Sequence, residues 1–347
     1  MIYFNCDYTE GAHPKIIEML TKTNFEQTVG YGEDEYCEKA REFIKRECQR
    51  DDVDVHFLVG GTQANLTVIS SALKPWQGVV SAVTGHVNTH ETGAIEATGH
   101  KVLALPCGQD GKLTAEMVKE TYLAHWNDVT HEHLVQPKMV YISDSTENGA
   151  VYTKAELKAI SEVCREYGLY LFLDGARLGY ALMSPKSDLT LKDLCDYCDV
   201  FYIGGTKVGA LCGEAVVITN DALKADFRYN IKQKGGMFAK GRILGIQFYS
   251  LFEDGLYWDI AKGAIDKAMK MAEILKANGV EFFAEPESNQ IFPIFTNEVI
   301  EKISENYLTA FWAKVDDERS AIRICTSWAT TDENVDKLMA DILSYIK

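Results

Sequence analysis

The chain has 347 residues, of which 46% are hydrophobic and 25% charged, and this is the composition of a globular protein with a large core. Its net charge of −16 argues against nucleic acid and anionic membranes as partners, and no stretch reaches the roughly 18 apolar residues of a membrane helix. The nine scattered cysteines indicate reduced thiols, and the opening residues MIYFNCDYTEG show no secretory signal. We therefore expect a cytoplasmic protein.

Apolar runs alternate with amphipathic segments along the first 245 residues. The segment after Gly60 reads as a helix as far as Leu73, and residues 154–167 read as a helix because Leu157, Ile160 and Val163 recur at helical spacing. The runs predicted as strands are 53–59, 78–83, 101–105, 139–143, 169–173, 200–203 and 214–219. Apolar strands separated by helices predict an α/β fold whose mostly parallel sheet is covered on both faces.

The pattern changes near residue 245. Residues 246–278 read as a long helix broken near 254–255, and short strands are predicted at 280–283, 291–295 and 322–326. We therefore predict a large domain at 1–245, with about the first 20 residues as an N-terminal arm, and a smaller α+β domain at 246–347.

Three predicted strands end in residues that can carry chemistry. These residues are Gly60-Gly61-Thr62, Asp174 and Thr206-Lys207. In an open α/β sheet a ligand binds outside the carboxyl ends of the strands. We therefore expect the three groups to meet at one edge of the sheet.

Each group has a functional and an ordinary interpretation. Lys207 could form a Schiff base with a carbonyl cofactor or be a solvated loop lysine. Asp174 could sit beside a protonated pyridine nitrogen, cap the next helix, or pair with Arg177. The Gly-Gly-Thr turn could cradle a phosphate or be only a turn. Cys195 and Cys198 are interpreted as two core thiols, with a redox or metal pair as the alternative, and no metal site is predicted.

The sequence as a whole resembles low-specificity threonine aldolases, within the β-eliminating lyase group of pyridoxal phosphate (PLP) enzymes. The matching stretches are YGEDEY (31–36), GGTQANL (60–66), HVNTHETGAIE (86–96), LDGARLGYAL (173–182), GGTKVGALCGEAVV (204–217), KQKGGMFAKGR (232–242) and IRICTSWATT (322–331). The resemblance implies the aminotransferase-like fold (fold type I), pyridoxal 5'-phosphate as cofactor, and a homotetramer built from dimers with active sites at the dimer interface. It also implies cleavage of L-threonine, L-allo-threonine or a related β-hydroxy-α-amino acid to glycine and an aldehyde.

The resemblance also assigns roles to single residues. Lys207 matches the lysine that binds the cofactor, and Asp174 matches the acid on the pyridine nitrogen. Arg177 and Arg323 match arginines that hold the substrate carboxylate, and Arg177 also lies near the phenolic oxygen of the cofactor. His86 matches the histidine stacked on the cofactor ring. The cofactor-binding set implied in this way is Gly60, Gly61, Thr62, His86, Asp174, Arg177, Thr206, Lys207 and Lys240.

Other matches concern the substrate and the neighbouring subunit. His133 matches a second active-site histidine, and Glu91 matches an acid that follows the stacking histidine. Tyr31 matches a tyrosine at the site entrance, expected from the neighbouring subunit. Cys6 stands where a serine often touches the substrate carboxylate. Lys240 is the candidate phosphate ligand because Phe238 stands where some members have an arginine.

The sequence leaves the reaction and the catalytic base open. A different PLP-dependent reaction, such as β-elimination or transamination, is the alternative enzyme activity, and a non-catalytic scaffold is the alternative from another class. A neutral imidazole is available near pH 7 to accept the hydroxyl proton of the substrate. We expect His86 and His133 to share that task.

Overall fold

The computed structural model describes residues 1–347, and its first 218 residues alternate strands with helices. Short 3₁₀ turns occur at His131–His133 and later at Asp221–Leu223. The elements in chain order are β1 (Ile2–Tyr3), α1 (Pro14–Lys22), α2 (Glu35–Cys48), β2 (Asp54–Leu58), α3 (Gly61–Ala72), β3 (Gln77–Ala82), α4 (His86–Thr89), α5 (Ala94–Ala97), β4 (Val102–Leu105), α6 (Ala115–Asn127), β5 (Gln136–Ser143), α7 (Lys154–Tyr167), β6 (Tyr170–Asp174), α8 (Leu178–Leu182), α9 (Leu191–Tyr197), β7 (Val200–Gly204) and β8 (Glu214–Ile218).

The remaining residues form helices and a second, smaller sheet. These elements are α10 (Phe227–Gln233), α11 (Arg242–Phe252), α12 (Leu256–Ala277), β9 (Gln290–Ile291), β10 (Ile294–Thr296), α13 (Asn297–Ser304), β11 (Tyr307–Leu308), β12 (Ala310–Lys314), β13 (Arg319–Cys325) and α14 (Asp332–Tyr345). No helix combines the length and apolar character needed to cross a membrane.

Seven strands form the large sheet in the order β2-β8-β7-β6-β5-β3-β4. Strand β8 is antiparallel to both of its neighbours, and the other neighbouring pairs are parallel. The carboxyl ends of β2, β3, β5, β6 and β7 therefore lie at one edge, and the first residue of β8 joins them there. The predicted α/β fold with a mostly parallel sheet is confirmed.

Helix α7 shows how the local sequence delivers a residue to that edge. Thr153 and Glu156 form a reciprocal capping box at its start, and Gly168 ends it in a left-handed conformation at φ 63°. The chain then turns directly into β6, whose residues 171–174 are all buried. Asp174, the last residue of β6, is placed at the carboxyl edge in this way.

The C-terminal region agrees with the α+β prediction but differs in detail. Residues 280–283 form only an isolated bridge between Phe282 and Pro293, so the strand predicted there is wrong. Pro293 also divides the predicted strand 291–295 into β9 and β10, because proline has no N–H for a sheet ladder. The sequence patterns did not reveal β1, β11 and β12.

Helix α12 links the two sheets. Ala261, Ala264 and Ile265 pack in the core of the large sheet. Further along the helix, four residues pack in the core of the C-terminal sheet: Ala268, Met271, Ala272 and Leu275. The N-terminal segment joins the C-terminal core through Phe4 and through the pairing of β1 with β11. The domain division at residue 245 stays a prediction.

Candidate active site

A cavity of about 490 Å³ opens at the carboxyl edge of the large sheet. Its residues come from six strand ends and from the C-terminal sheet, which covers one side. The lining comprises Tyr8, Val59, Gly60, Gly61, Thr62, His86, His90, Glu147, Asp174, Ala176, Arg177, Tyr202, Thr206, Lys207, Glu214, Trp312 and Arg323. The three groups predicted to converge therefore line one cavity.

Asp174 is buried at the floor of the cavity and is surrounded by hydrogen-bond donors. Its Oδ1 accepts from the Tyr202 hydroxyl and from the Ala176 N–H at 3.0 Å. Its Oδ2 accepts from the Tyr141 hydroxyl and from Asn65 Nδ2 at 3.0 Å. Burial alone would raise its pKa, but the charge of His86 and these donors outweigh burial and lower the pKa. Asp174 is thus held as a carboxylate.

The hydrogen bonding of Asp174 explains why residue 61 is a glycine. A Cβ atom on Gly61 would lie 3.0 Å from the Tyr202 hydroxyl oxygen, which is closer than most side-chain contacts. That hydroxyl is one of the donors to Asp174. Because Gly61, the first residue of α3, has no side chain, the Tyr202 hydroxyl has space to donate to Asp174.

Gly60 and Gly61 place the first turn of α3 at the cavity wall. Gly60 is the N-cap residue, and no side chain caps the helix. Uncapped amide groups at a helix N-terminus are a binding site for an anion such as phosphate. Thr62 adds a hydroxyl on the same turn and also lines the cavity.

Lys207 lies in the loop after β7 and faces the cavity. Its backbone carbonyl accepts a hydrogen bond of 2.6 Å from the Tyr180 hydroxyl. The neighbouring Thr206 hydroxyl is already engaged, because it donates to Glu214 Oε1 at 2.8 Å and accepts from the Gly213 N–H. Burial raises the pKa of Glu214, although its hydrogen bond with Thr206 and the charge of Lys207 act in the opposite direction. The sequence patterns did not indicate Glu214, since they did not reveal that β8 runs antiparallel.

His86 is fixed by Glu91, which is buried behind it. The Nδ1 atom of His86 lies 2.7 Å from Glu91 Oε1, and the Glu91 side chain has no exposed surface. Asn65 Nδ2 also donates to Glu91 Oε1, at 2.7 Å, so Asn65 bridges Glu91 and Asp174. Glu91 does not line the cavity. Its predicted contact with substrate stays a prediction, and within this chain Glu91 is the residue that orients His86.

Burial lowers the pKa of His86, but the hydrogen bond with Glu91 and the charges of Glu147 and Asp174 more than reverse this effect, so the pKa is raised. We expect Glu91→Gln to lower the pKa of His86, because the amide keeps a hydrogen bond but removes the negative charge. Titration of the His86 imidazole by NMR measures the shift. Glu96→Gln, at an exposed acid on α5, is the matched control, and equal titration of both variants would contradict the role of Glu91.

Arg177 is buried and forms a bidentate ion pair with Asp7. Its Nε and Nη2 atoms lie 2.8 and 3.0 Å from the two carboxylate oxygens. Asn289 Nδ2 also donates to Asp7, at 2.9 Å. Arg177 therefore pairs with Asp7 and not with Asp174, and its other N–H groups remain for a ligand in the cavity.

Burial would raise the pKa of Asp7, but the charges of Arg177 and Lys207 and the hydrogen bonds lower it to about 2. The pair therefore stabilises the fold above the ordinary Asp pKa of 3.8, and this contribution is lost as the pH falls toward 2. We expect Asp7→Asn to lower the free energy of unfolding by about 3–5 kcal/mol at pH 7, because Arg177 is left as an unpaired buried charge.

Denaturant unfolding measures this loss. Asp254→Asn is the control, since Asp254 forms an exposed pair with Lys15 at 3.6 Å, and such pairs contribute about 0–1 kcal/mol. An equal loss of unfolding free energy in the two variants would show that the buried pair stabilises the fold no more than the exposed pair does.

Arg323 reaches the cavity from β13. Its Nη2 donates to the Asn5 carbonyl oxygen at 2.7 Å and its Nη1 to Gln290 Oε1 at 3.2 Å, while its guanidinium lies 5.7 Å from the centre of the Trp312 ring. Its Nε has no partner. Arg323 and Arg177 together supply two cations to the wall where a substrate carboxylate could bind.

Three further predicted residues lie outside this cavity. Cys6 is buried and does not line it, although Tyr8, two residues later, does. Tyr31 and Lys240 are exposed on neighbouring segments, which are joined by the hydrogen bond from the Tyr31 N–H to the Ala239 carbonyl at 3.2 Å. Within one chain, neither Tyr31 nor Lys240 reaches the site.

His133 does not line the cavity of its own chain, and its predicted catalytic role stays a prediction. It is exposed in the 3₁₀ turn that precedes β5, whereas the cavity lies beyond the other end of this strand. The eight residues of β5 alone separate the two ends by roughly 25 Å at about 3.3 Å per residue.

Glu147 lies in the turn that follows β5, and it lines the cavity. The residues on either side anchor this turn, because Thr146 Oγ1 donates to the Asp110 carbonyl at 2.6 Å and Asn148 Nδ2 donates to the Gln109 carbonyl at 2.7 Å. The sequence contained a signal for Glu147, since an acid four residues after an apolar strand lies near its carboxyl end.

The chain matches the model of the beta-eliminating lyase family over residues 6–298, and it belongs to this family. It is 33% identical over 345 residues to a low specificity L-threonine aldolase of a Pseudomonas strain, which covers 98% of this chain and 96% of that protein. The corresponding protein of Pseudomonas aeruginosa is 31% identical over 350 residues, with the same two coverages.

Solved structures agree with this assignment. The threonine aldolase of Leishmania major superposes with a TM-score of 0.97 at 44% identity, over 100% of both chains. An aspartate aminotransferase of Thermus thermophilus superposes with a TM-score of 0.71 at 14% identity, over 99% of this chain and 96% of that one. The fold is therefore that of the aminotransferase-like PLP enzymes.

The residues of the cavity fit pyridoxal 5'-phosphate, which is the cofactor of this chain. The uncapped start of α3 suits its phosphate. The charged Asp174 suits a protonated pyridine nitrogen, and Lys207 supplies an amine at the cavity wall for its aldehyde. The particular contacts of each residue with the cofactor stay predictions.

Proposed function

We propose that this protein is a PLP-dependent aldolase that cleaves L-threonine, L-allo-threonine or a related β-hydroxy-α-amino acid to glycine and an aldehyde. The observation that carries the proposal is the single cavity in which Lys207, Asp174, His86, Arg177 and Arg323 meet. The likeness over the whole chain to proteins named L-threonine aldolases supports the choice of reaction.

The residues have distinct tasks in this proposal. Lys207 holds the cofactor, and Asp174 keeps a negative charge beside its ring nitrogen. The bound cofactor supplies an electron sink for a bond broken at the α carbon. Arg177 and Arg323 hold the substrate carboxylate, and this fixes which bond at the α carbon is presented for cleavage. His86, oriented by Glu91, covers the cofactor and lies near the substrate hydroxyl.

The substrate assay should distinguish this reaction from its alternatives. We expect release of glycine and acetaldehyde from L-threonine and L-allo-threonine. Pyruvate from L-serine as the main product would indicate β-elimination, and a 2-oxo acid formed from the amino acid would indicate transamination. A protein that stays colourless with added PLP and releases no product would be a scaffold.

We also propose that the protein is a cytoplasmic homo-oligomer, a tetramer built as a dimer of dimers. All nine cysteines are free, which suits a reducing compartment. Tyr31 and Lys240 lie together on the surface, where Phe25 and Val29 are also exposed, by 95% and 67%. An apolar surface of this kind suits a subunit interface. A neighbouring subunit that presents Tyr31 and Lys240 to the cavity would complete the predicted site.

Complementation can test this arrangement. Lys207→Ala and Tyr31→Ala chains should each be impaired alone, and mixed oligomers should regain activity because one of their two sites then carries both native residues. Absence of recovery in oligomers shown by mass to be mixed would place Tyr31 outside the neighbouring site. Light scattering gives the oligomeric state directly.

A further inference from the structure

The Glu147 carboxylate is the acid in the cavity that no other side chain engages. It makes no hydrogen bond or ion pair, although Thr146 and Asn148 beside it are both bonded to the backbone. The other acids of the cavity are engaged, since Asp174 accepts four hydrogen bonds and Glu214 accepts from Thr206 and from the Gly205 N–H. An acid side chain whose oxygens have no partner is available to a ligand in the cavity.

His86 is less suited to accept a proton than the sequence suggested. Its Nδ1 is engaged by Glu91, and its raised pKa means that it keeps its proton to higher pH. Glu147 and His86 line the same cavity, and the charge of Glu147 is one cause of that raised pKa. Burial alone would lower the pKa of Arg177, but the charges of Asp7 and Glu147 outweigh this effect and raise the pKa above its ordinary value. Glu147 therefore lines the same cavity as His86 and as the two arginines that could bind the substrate carboxylate.

We propose that Glu147 is a further catalytic residue, which accepts the β-hydroxyl proton of the substrate. This proposal rests on the proposed aldolase function. The hydroxyl proton moves to a carboxylate oxygen of Glu147, and the electron pair of the O–H bond forms the C=O bond of the aldehyde. The bond between the α and β carbons breaks, its electron pair stays with the α carbon, and one proton later returns there to give glycine.

The matched variants for a test are Glu147→Gln, Glu147→Asp and the control Glu162→Gln. Glutamine keeps the shape of the side chain but cannot accept the proton, whereas aspartate keeps the carboxylate. Glu162 is exposed on α7 and pairs only with Lys158, at 3.7 Å. The titratable and charged groups that share the cavity with Glu147 are Tyr8, His86, His90, Asp174, Arg177, Tyr202, Lys207, Glu214 and Arg323.

Two reactions of the holoenzyme separate a catalytic role from a structural one. We expect Glu147→Gln to lower kcat for L-threonine cleavage by about 10²- to 10⁴-fold, which is the usual effect of removing a general base. Exchange of the α proton of glycine in D₂O should stay within about threefold of wild type, since glycine has no β-hydroxyl group. Glu147→Asp should recover part of the cleavage rate, and Glu162→Gln should behave as wild type in both reactions.

A third readout does not depend on activity. Removing the charge of Glu147 should lower the pKa of His86 in an NMR titration, whereas Glu162→Gln should leave it unchanged. Wild-type rates of cleavage in Glu147→Gln would overturn the proposal, and so would equal losses of cleavage and glycine exchange, which indicate a general disturbance of the site. An unchanged pKa of His86 would also count against it. A wild-type enzyme that exchanges glycine but does not cleave threonine would overturn the proposed function instead.

Discussion

Lys207→Ala is expected to abolish turnover while the fold is retained. The amine is lost from the cavity, and with it the group that holds the cofactor covalently and returns a proton. The loop itself should persist, because Tyr180 holds it through the backbone carbonyl of residue 207. Glycine release measures activity, and circular dichroism with thermal unfolding measures the fold.

Chemical labelling gives an independent check on the same residue. Borohydride reduction of the wild-type holoenzyme followed by peptide mapping should place the pyridoxyl group on Lys207. Lys158→Ala is the control, since Lys158 is exposed on α7 and lies outside the cavity, and it should retain the label on Lys207. A label on Lys240 would reassign the cofactor lysine.

Asp174→Asn is expected to lower turnover by at least tenfold, which corresponds to about 1.4 kcal/mol in the barrier. The negative charge that favours a protonated pyridine nitrogen is removed, so the electron sink is weakened. The structure adds a second cost, because both carboxylate oxygens face donors only. An asparagine NH₂ would meet either the Ala176 N–H or the Asn65 NH₂, and neither of these can accept a hydrogen bond.

Absorbance of bound PLP, turnover and thermal stability should therefore be measured together. Cofactor retention with a large loss of turnover would support the electronic role of Asp174. Activity within twofold of wild type would contradict it. Tyr141→Phe is a useful comparison, since it removes one donor to Asp174 but keeps the charge, and its loss should be smaller.

Several parts of the site were predictable because they depend on the direction of a strand. Buried apolar strands ending in Asp174 and before Lys207 are visible in the sequence, and parallel packing brings such ends to one edge. The same rule applies to two further residues, one of which the resemblance assigns to the site and one of which it does not mention. His133 precedes β5 and so lies at the opposite edge, whereas Glu147 follows β5 and lies in the cavity.

Other parts were decided by tertiary structure, because they join residues that are far apart in the chain. Asp7 pairs with Arg177 across 170 positions, and no local pattern marks an acid near the N-terminus as the partner of a buried arginine. Glu91 looks like a substrate ligand in the sequence, yet it is buried behind His86.

Periodicity and strand ends are local properties, so the class of fold and the convergence of Lys207, Asp174 and the glycine turn were predictable from the sequence. Which charges meet depends on the packing of segments that are distant in the chain. The energy of a buried charge depends on the donors and opposite charges packed around it, and those neighbours come from the segment after β1, the turn after β5, the antiparallel strand β8 and the C-terminal sheet.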